Sequence, residues 1–212
     1  MINRDDLLAW IRRLHKVYAE NKAYLTDLDA AIGDADHGIN MDRGFSAVAA
    51  ELNNDTPRDS SSLLKKVAMT LIKTVGGASG PLYGTFFLRA AGVCADKENL
   101  TPADVIALFD AGLGGVVQRG KAELNDKTMV DALNPAVEAM KRTCDTGVSL
   151  KEILADGAVA AESGMKNTIE MLARKGRASY LGERSIGHQD PGATSSFLML
   201  KAAADIWDKG PD

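Results

Sequence analysis

The sequence predicts an all-α fold of eight helices without a sheet, and three observations carry that prediction. Apolar residues recur at intervals of three and four along most of the 212-residue chain, which is the spacing of one helix face. Alternating strand patterns are nearly absent, and aromatic residues make up only 5% of the sequence. Glycine, proline and asparagine clusters interrupt the helical pattern, so we expect eight helices joined by polar loops.

Capping signals place the helix starts. Asn3 and Thr101 are N-cap residue types, and Ser149 with Glu152 forms a capping box, because such side chains accept hydrogen bonds from free backbone N–H groups. The predicted helices begin near residues 3, 41, 62, 81, 101, 135, 149 and 193, and end near residues 18, 52, 71, 95, 119, 146, 174 and 207. No linker or low-complexity tract divides the chain, which predicts one domain over residues 1–212.

Composition excludes several classes of function. The net charge of -4 argues against a surface for nucleic acid or an anionic membrane. The cysteines, Cys94 and Cys144, lack zinc-site spacing, which is typical of a reduced cytoplasmic protein. The N-terminus lacks the apolar stretch of a signal peptide, and no window is long and apolar enough for a transmembrane helix. We therefore expect a cytoplasmic location.

The densest chemical signal is an acidic segment. Asp29, Asp34 and Asp36 lie within eight residues that contain no lysine or arginine. Packed carboxylates repel one another unless a proton or a cation intervenes, and their hard oxygens suit magnesium or calcium. A calcium-binding EF-hand beginning at Asp34 does not fit, because position twelve is Phe45 rather than glutamate. Magnesium shared with substrate phosphates fits better, and a solvated turn with helix-capping aspartates remains the alternative.

The other loops add weaker signals. His37 and Asn40 follow the aspartates and supply phosphate-capable donors at a predicted helix start. The small residues 76–80 precede a helix whose backbone N–H groups are able to cradle a phosphate, although glycine runs between helices are more often simple turns. The polar residues 119–129 either meet phosphate or face water, and the second interpretation is favoured. Residues 174–195 form a polar segment too long for a simple turn, which is typical of functional loops.

Together these loops resemble one family, the nucleotide-binding (DhaL) subunits of bacterial dihydroxyacetone kinases. The resemblance extends over essentially the whole chain and is strongest in five strings, residues 32–38, 75–82, 120–122, 126–129 and 173–195. It implies a barrel of eight antiparallel amphipathic helices with a nucleotide site in the loops at one end. It also implies that ADP or ATP is bound with two Mg²⁺ ions held by Asp29, Asp34 and Asp36.

The same resemblance assigns the remaining site residues. Four of them, His37, Gly38, Ile39 and Asn40, match the family's contacts on the phosphate side, together with Ala78 and Ser79. The positions that match the rest of the nucleotide site are Gly120, Met129, Arg177, Asp190, Pro191 and Gly192. No residue of this chain is expected to act as a catalytic acid or base, because in this family a partner subunit holds the substrate.

The family works in two ways, and the resemblance favours one of them. A chain of 212 residues has no room for a substrate domain, so a free-standing subunit is expected. Its nucleotide would be rephosphorylated by a phosphohistidine carrier of the phosphoenolpyruvate-dependent phosphotransferase system, and dihydroxyacetone would be phosphorylated on a partner subunit. A transcription regulator and a second copy of the chain, in a homodimer, are further implied partners. Two alternatives remain. One is a kinase subunit that uses exchangeable ATP and acts on another small carbonyl sugar. The other is a non-catalytic nucleotide- or metal-binding regulatory module.

Overall fold

A computed structural model describes residues 1–207, and it confirms the prediction of an all-helical fold. The α-helices span α1 Arg4–Glu20, α2 Lys22–Ile32, α3 His37–Asn54, α4 Ser60–Thr74, α5 Ser79–Val93, α6 Pro102–Gly120, α7 Val130–Cys144, α8 Leu150–Asn167 and α9 Pro191–Ile206. Short 3-10 segments cover Thr168–Glu170 and Arg177–Ser185, and the second is interrupted by a non-helical backbone at Gly182. The predicted N-caps at Asn3 and Thr101 and the predicted capping box at Ser149 are confirmed, and the structure shows that Asn3 and Thr101 form capping boxes as well.

Two details of the predicted fold are wrong. Within residues 1–207 there are nine α-helices rather than eight, because a separate helix, α2, follows α1 after a break at Asn21. The prediction ended the first helix near residue 18 and began the next near residue 41, so α2 was missed. At the break before α2, the Asn21 side chain donates to the carbonyl oxygen of Val17 at 2.8 Å. The fold also contains a minimal sheet, in which β1 (Ile2–Asn3) pairs antiparallel with β2 (Asn99–Leu100).

The helices follow a simple packing order. The helix α1 packs against α3, each later helix packs against its successor, and α9 packs back against α1. The helix α2 lies beside α3 and α9. One apolar core fills the interior, and at its centre the Trp10 ring lies 5.1 Å from Trp207 and 5.7 Å from Phe87 and Phe109, measured between ring centroids. No helix of residues 1–207 has both the length and the apolar character that a bilayer crossing requires.

The predicted loops are shorter and more ordered than the sequence indicated. Helix α2 extends through Ile32 and α3 begins at His37, so only four residues of the acidic segment lie outside helices. The segment 174–190 contains the 3-10 helix Arg177–Ser185, and its Ala178 packs with Ile32 at the end of α2. The long polar segment therefore lies against the acidic one.

Candidate functional site

The three aspartates converge, although they occupy different backbone positions. Asp29 lies in the last turn of α2, Asp34 lies in the connecting bend, and Asp36 is the N-cap of α3. One carboxylate oxygen from each lies within 4.8 Å of the others. Ala35 between them has a φ of 60°, a left-handed conformation that turns the chain sharply. At Gly33 a Cβ atom would lie 2.0 Å from Oδ1 of Asp29, so this close approach requires glycine.

Hydrogen bonds fix the buried member of the cluster. Oδ2 of Asp29 accepts from the backbone N–H of Asp36 at 2.8 Å and of His37 at 3.1 Å. These bonds tie the end of α2 to the start of α3 and keep the Asp29 carboxylate directed at the other two. Among residues 1–207, the cation paired with the cluster is Arg177, whose Nη2 lies 3.1 Å from Oδ2 of Asp34.

The charge of this cluster fits a divalent cation. Three carboxylates meet one guanidinium, and the Asp34–Arg177 pair is partly exposed, with 33% and 67% of the two side chains accessible, so solvent weakens it. The excess of negative charge and the all-oxygen donor set are the chemistry that Mg²⁺ prefers. The residues present therefore fit magnesium.

His37 links the acidic segment to two other helices. Its ring is 7% exposed, with Nδ1 3.1 Å from Oγ of Ser79 in α5 and Nε2 2.9 Å from Oγ of Ser195 in α9. Burial lowers the pKa of His37, against the opposing effect of the carboxylates of Asp29 and Asp36. Burial therefore favours the neutral imidazole, and both of its ring nitrogens lie within hydrogen-bonding distance of a serine hydroxyl.

The start of α5 has the features of a phosphate site. Ala78 is the N-cap but supplies no side-chain cap, and Gly77 before it has a φ of 62°. The first backbone N–H groups of a helix have no intrahelical acceptor and attract anions. Asn40 lies beside this loop, where its Oδ1 accepts a hydrogen bond of 2.6 Å from Arg43. A Cβ at Gly76 would lie 3.0 Å from that oxygen.

Residues 190–192 form a second part of the site. Asp190 caps α9, where its Oδ2 accepts from the N–H of Ala193 at 2.6 Å. Burial raises the pKa of Asp190 to about 7. Pro191 begins the helix, and a Cβ at Gly192 would lie 3.6 Å from the backbone nitrogen of Met129. This second part therefore joins the starts of α7 and α9.

Lys127 is an exception to the interpretation of residues 119–129 as a water-facing connection, which holds for the exposed Arg119 and Lys121. The Lys127 side chain is 1% exposed, and Nζ donates to the carbonyl oxygens of Ser185 at 2.6 Å and of Met171 at 3.1 Å. Burial lowers the pKa of Lys127. This lysine holds the segment 171–185 against the start of α7, so it neither faces water nor is directed at an open phosphate site.

The remaining predicted residues lie at the same end of the molecule. Gly120 ends α6, and a Cβ placed there would lie 3.1 Å from a side-chain carbon of Leu82, in the first turn of α5. Gly38 is buried where α3 meets α2, since a Cβ there would lie 2.1 Å from the carbonyl oxygen of Lys22. Ile39 in the same turn is 44% exposed. The structure thus brings residues of the acidic, glycine-rich and 190–192 segments to one end.

Ser195 and Tyr83 contact the site but were not predicted as site residues. Oγ of Ser195 lies 2.7 Å from the Tyr83 hydroxyl and 2.9 Å from Nε2 of His37. A signal was available, because Thr194, Ser195 and Ser196 place three hydroxyl groups in the first turns of an otherwise apolar helix. All three are buried, and buried hydroxyls require hydrogen-bond partners.

Comparison with known proteins places this chain in a family. The model of the DAK2 domain matches residues 31–205. The chain is 47% identical to the phosphoenolpyruvate-dependent dihydroxyacetone kinase ADP-binding subunit DhaL of Escherichia coli K12, over 96% of this chain and 97% of that one. It is 40% identical to the phosphotransferase-system-dependent counterpart of Lactococcus lactis, over 97% and 99%.

A solved structure gives the same assignment at the level of the fold. The dihydroxyacetone kinase of C. freundii, in complex with AMP-PNP and Mg²⁺, superimposes with a TM-score of 0.71 at 25% identity. The match covers 92% of this chain and 33% of that one, so the chain spans about a third of that kinase. The chain belongs to the DAK2 domain family, and within that family to the DhaL group.

Proposed function

We propose that this chain is the ADP-binding subunit of a phosphoenolpyruvate-dependent dihydroxyacetone kinase. The observation that carries the proposal is the cluster of Asp29, Asp34 and Asp36 beside the uncapped start of α5. The relatives of this chain in E. coli and L. lactis are named as ADP-binding subunits of such kinases. The structural neighbour was solved with AMP-PNP and Mg²⁺, which supports the same ligand class.

In this proposal the aspartates hold two magnesium ions and the helix starts hold phosphates. The ions supply charge neutralisation for phosphoryl transfer, which depends mainly on positioning and on electrostatic stabilisation. Asp29 is preset for this task, because two backbone N–H groups already fix its carboxylate. The free N–H groups of Ser79 and Gly80 at the start of α5 bind phosphate oxygens.

The remaining site residues enclose the nucleotide in the same proposal. The phosphate side consists of His37, Gly38, Ile39, Asn40, Ala78 and Ser79, and the rest of the nucleotide meets Gly120, Met129, Arg177, Asp190, Pro191 and Gly192. Arg177 lies on the 3-10 segment that covers the acidic end. Its ion pair with Asp34 is exchangeable, so the guanidinium is available to a phosphate when metal ions take over the carboxylate.

The proposal extends to architecture and partners. The predicted domain of residues 1–212 includes residues 208–212, which lie outside the described part of the chain. Within residues 1–207, the main helices make a barrel of eight antiparallel members with α2 outside it, and the packing order that returns from α9 to α1 supports this. The partners are a dihydroxyacetone-binding kinase subunit, a phosphohistidine carrier, a transcription regulator and a second copy of the chain. The location is cytoplasmic.

A reconstituted assay tests the function. The chain is mixed with a dihydroxyacetone-binding subunit and supplied either with ATP alone or with phosphoenolpyruvate and the carrier proteins. We expect turnover of dihydroxyacetone with phosphoenolpyruvate and catalytic amounts of ADP. Turnover with excess ATP alone would identify an ATP-exchanging kinase, and turnover with neither donor would identify a regulatory module.

We expect ADP with magnesium to raise the melting temperature of the purified chain. A ligand that binds only the folded state stabilises it by about 2.7 kcal/mol at about 100 times its Kd. Differential scanning fluorimetry with ADP and Mg²⁺, ADP and EDTA, and Mg²⁺ alone measures the effect. The shift should require both components, because the carboxylates repel phosphates unless cations lie between them. An equal shift with ADP and EDTA would contradict the metal assignment.

A further inference from the structure

Residues 171–187 form a loop at the acidic end of the molecule, and hydrogen bonds close its two ends. The backbone N–H of Gly187 donates to the carbonyl oxygen of Ile169 at 2.8 Å, and the N–H of Ala173 donates to Oγ of Ser185 at 3.0 Å. These two contacts form the neck of the loop. Bringing the ends of a loop together costs conformational entropy, so the neck stays closed only while bonds of this kind hold it.

Lys127 connects the neck to the body of the protein. Its Nζ donates to the carbonyl oxygens of Met171, at 3.1 Å, and of Ser185, at 2.6 Å. A single nitrogen atom therefore reaches both sides of the neck. The carbonyl oxygen of the preceding residue, Asp126, accepts from the backbone N–H of Arg174 at 3.1 Å. Both attachments come from the residues just before α7, so the neck is fastened to a rigid helix start.

The burial of Lys127 is costly unless its side chain makes these bonds. The residue is 1% exposed, and a buried amino group is stable only when it is hydrogen-bonded. Burial lowers the pKa of Lys127, and the carboxylates of Asp190 and Glu170 oppose this effect. Two bonds to carbonyl oxygens need two N–H groups, which the ammonium and the neutral amine both supply. The connection is therefore independent of the charge of Lys127.

The loop carries Arg177 to the acidic cluster. Nη2 of Arg177 lies 3.1 Å from Oδ2 of Asp34, and Ala178 packs with Ile32 at the end of α2 in an apolar cluster separate from the main core. The ion pair is partly exposed, and such pairs stabilise a structure only weakly. The position of Arg177 therefore depends on the neck that holds both ends of its loop.

We propose that Lys127 is a positioning residue that clamps the neck of the loop and thereby holds Arg177 over the bound nucleotide. The inference rests on the proposed function, because it assigns the loop to the nucleotide site. While the neck is closed, the loop covers the site and the nucleotide leaves slowly. When the neck opens, Arg177 moves away from the site and the nucleotide is released, as loop opening limits release in many enzymes. Lys127 thus sets the dissociation rate without touching the nucleotide.

Hydrogen exchange of the full-length wild type without nucleotide tests whether the neck is closed in solution. The backbone N–H groups of Ala173, Arg174 and Gly187 are all hydrogen-bonded. We expect them to exchange at least about 100-fold more slowly than in an unstructured peptide, because exchange requires local opening. Exchange of these three groups at the rate of an unstructured peptide would overturn the proposal without the need for any variant.

The variant Lys127→Met tests the clamp, because methionine keeps an apolar side chain of similar length and has no donor. Residues 174–184 contain four basic residues at which trypsin can cut. We expect cleavage there, without nucleotide, to be at least about tenfold faster, since cleavage follows the population of the open form. Dissociation of a fluorescent ADP analogue in Mg²⁺, measured by stopped-flow chase, should also be about tenfold faster, as for lost hydrogen bonds.

Two further variants make the test specific. Lys166→Met is the matched control, because Lys166 is an exposed lysine of α8 that pairs with Glu162, and we expect wild-type cleavage and dissociation. Arg177→Ala tests the route of the effect. In a chain that already carries Arg177→Ala, Lys127→Met should accelerate dissociation by less than about threefold, whereas independent effects would multiply.

Ser185→Ala provides the same test if Lys127→Met does not fold. It removes the acceptor of the Ala173 N–H and so opens the neck from the side of the loop, with the buried lysine in place. We expect faster cleavage within residues 174–184 and faster ADP dissociation in this variant as well. Wild-type values of both would contradict the assignment of the neck to nucleotide retention.

The outcomes separate this inference from the proposed function. Unchanged cleavage or unchanged ADP dissociation in Lys127→Met would overturn the clamp. Faster cleavage throughout the chain would indicate a purely structural role, and a full tenfold acceleration in the Arg177→Ala background would show that Lys127 does not act through Arg177. A wild type with a closed neck that binds no ADP would contradict the proposed function alone, because exchange and cleavage are recorded without nucleotide.

Discussion

The variant Asp34→Ala should lose at least about 100-fold of the rate of dihydroxyacetone phosphorylation, as is typical when a group that stabilises transition-state charge is removed. Asp34 supplies one of the three converging carboxylates, and its partly exposed side chain forms an ion pair with Arg177 alone among residues 1–207. Its removal should therefore take away a metal ligand without opening a cavity. Steady-state rates in the reconstituted assay, at increasing Mg²⁺, measure the loss.

The matched control is Asp27→Ala. Asp27 is an exposed aspartate on the same segment, in α2, and it is not part of the carboxylate cluster. Asp27→Ala should keep the wild-type rate. In the absence of ligand, the free energy of unfolding of both variants should lie within about 1 kcal/mol of the wild-type value, as is usual for surface substitutions. Normal turnover of Asp34→Ala in saturating Mg²⁺ would show that the aspartates do not hold the metal.

Periodicity and capping chemistry were sufficient to predict most of the helices. The helix starts at Asn3, Thr101 and Ser149 were correct because each uses local hydrogen bonds that sequence alone specifies. Helix α2 was missed because no helical pattern was recognised between residues 18 and 41, and the contacts that hold α2 against α3 and α9 are tertiary. The early start of α3 at His37 was missed because the bonds to Asp29 that fix it come from another helix.

The site was predictable where its residues carry charge in a cluster and unpredictable where they are buried and neutral. The sequence indicated a site at Asp29, Asp34 and Asp36 because clustered carboxylates repel one another unless a cation or a proton lies between them. Lys127 gave the same sequence signal as a surface lysine, and only its two bonds to the carbonyls of Met171 and Ser185 reveal its role. Ser195 was overlooked because a hydroxyl in a helix becomes informative only when its partners on α3 and α5 are known.

Asp190 combines both difficulties, since it was chosen as a nucleotide-side residue and is also a buried acid. Its pKa of about 7, raised by burial, compares with about 4 for an aspartate in the unfolded chain. The folded protein therefore binds more protons than the unfolded chain between these two values. The contribution of the Asp190 carboxyl group to stability is full below about pH 4, falls as the pH rises, and is lost above about pH 7.

As the pH is raised from about 5 to about 8, we expect the stability of the variant Asp190→Asn relative to the wild type to increase by roughly 3 kcal/mol. The folded-state pKa of about 7 lies two pH units above the start of this range, and each unit corresponds to about 1.4 kcal/mol. Asparagine caps a helix as well as aspartate does, so the bond from Ala193 is retained. Urea unfolding at several pH values gives the difference in unfolding free energy. The difference between the unfolding free energies of variant and wild type is needed because His37 also makes stability depend on pH. Its lowered pKa has the opposite effect, so that stability rises as the pH increases toward 6.5.

Subtracting the wild-type curve removes the contribution of His37 and isolates that of Asp190. Asp205→Asn is the control on the same helix, because Asp205 is an exposed partner of Lys201 and its replacement should leave the wild-type pH dependence unchanged. A constant difference between Asp190→Asn and the wild type across this range would show that Asp190 is ionised in the folded protein throughout. The cap of α9 would then carry a full negative charge beside the proposed nucleotide site.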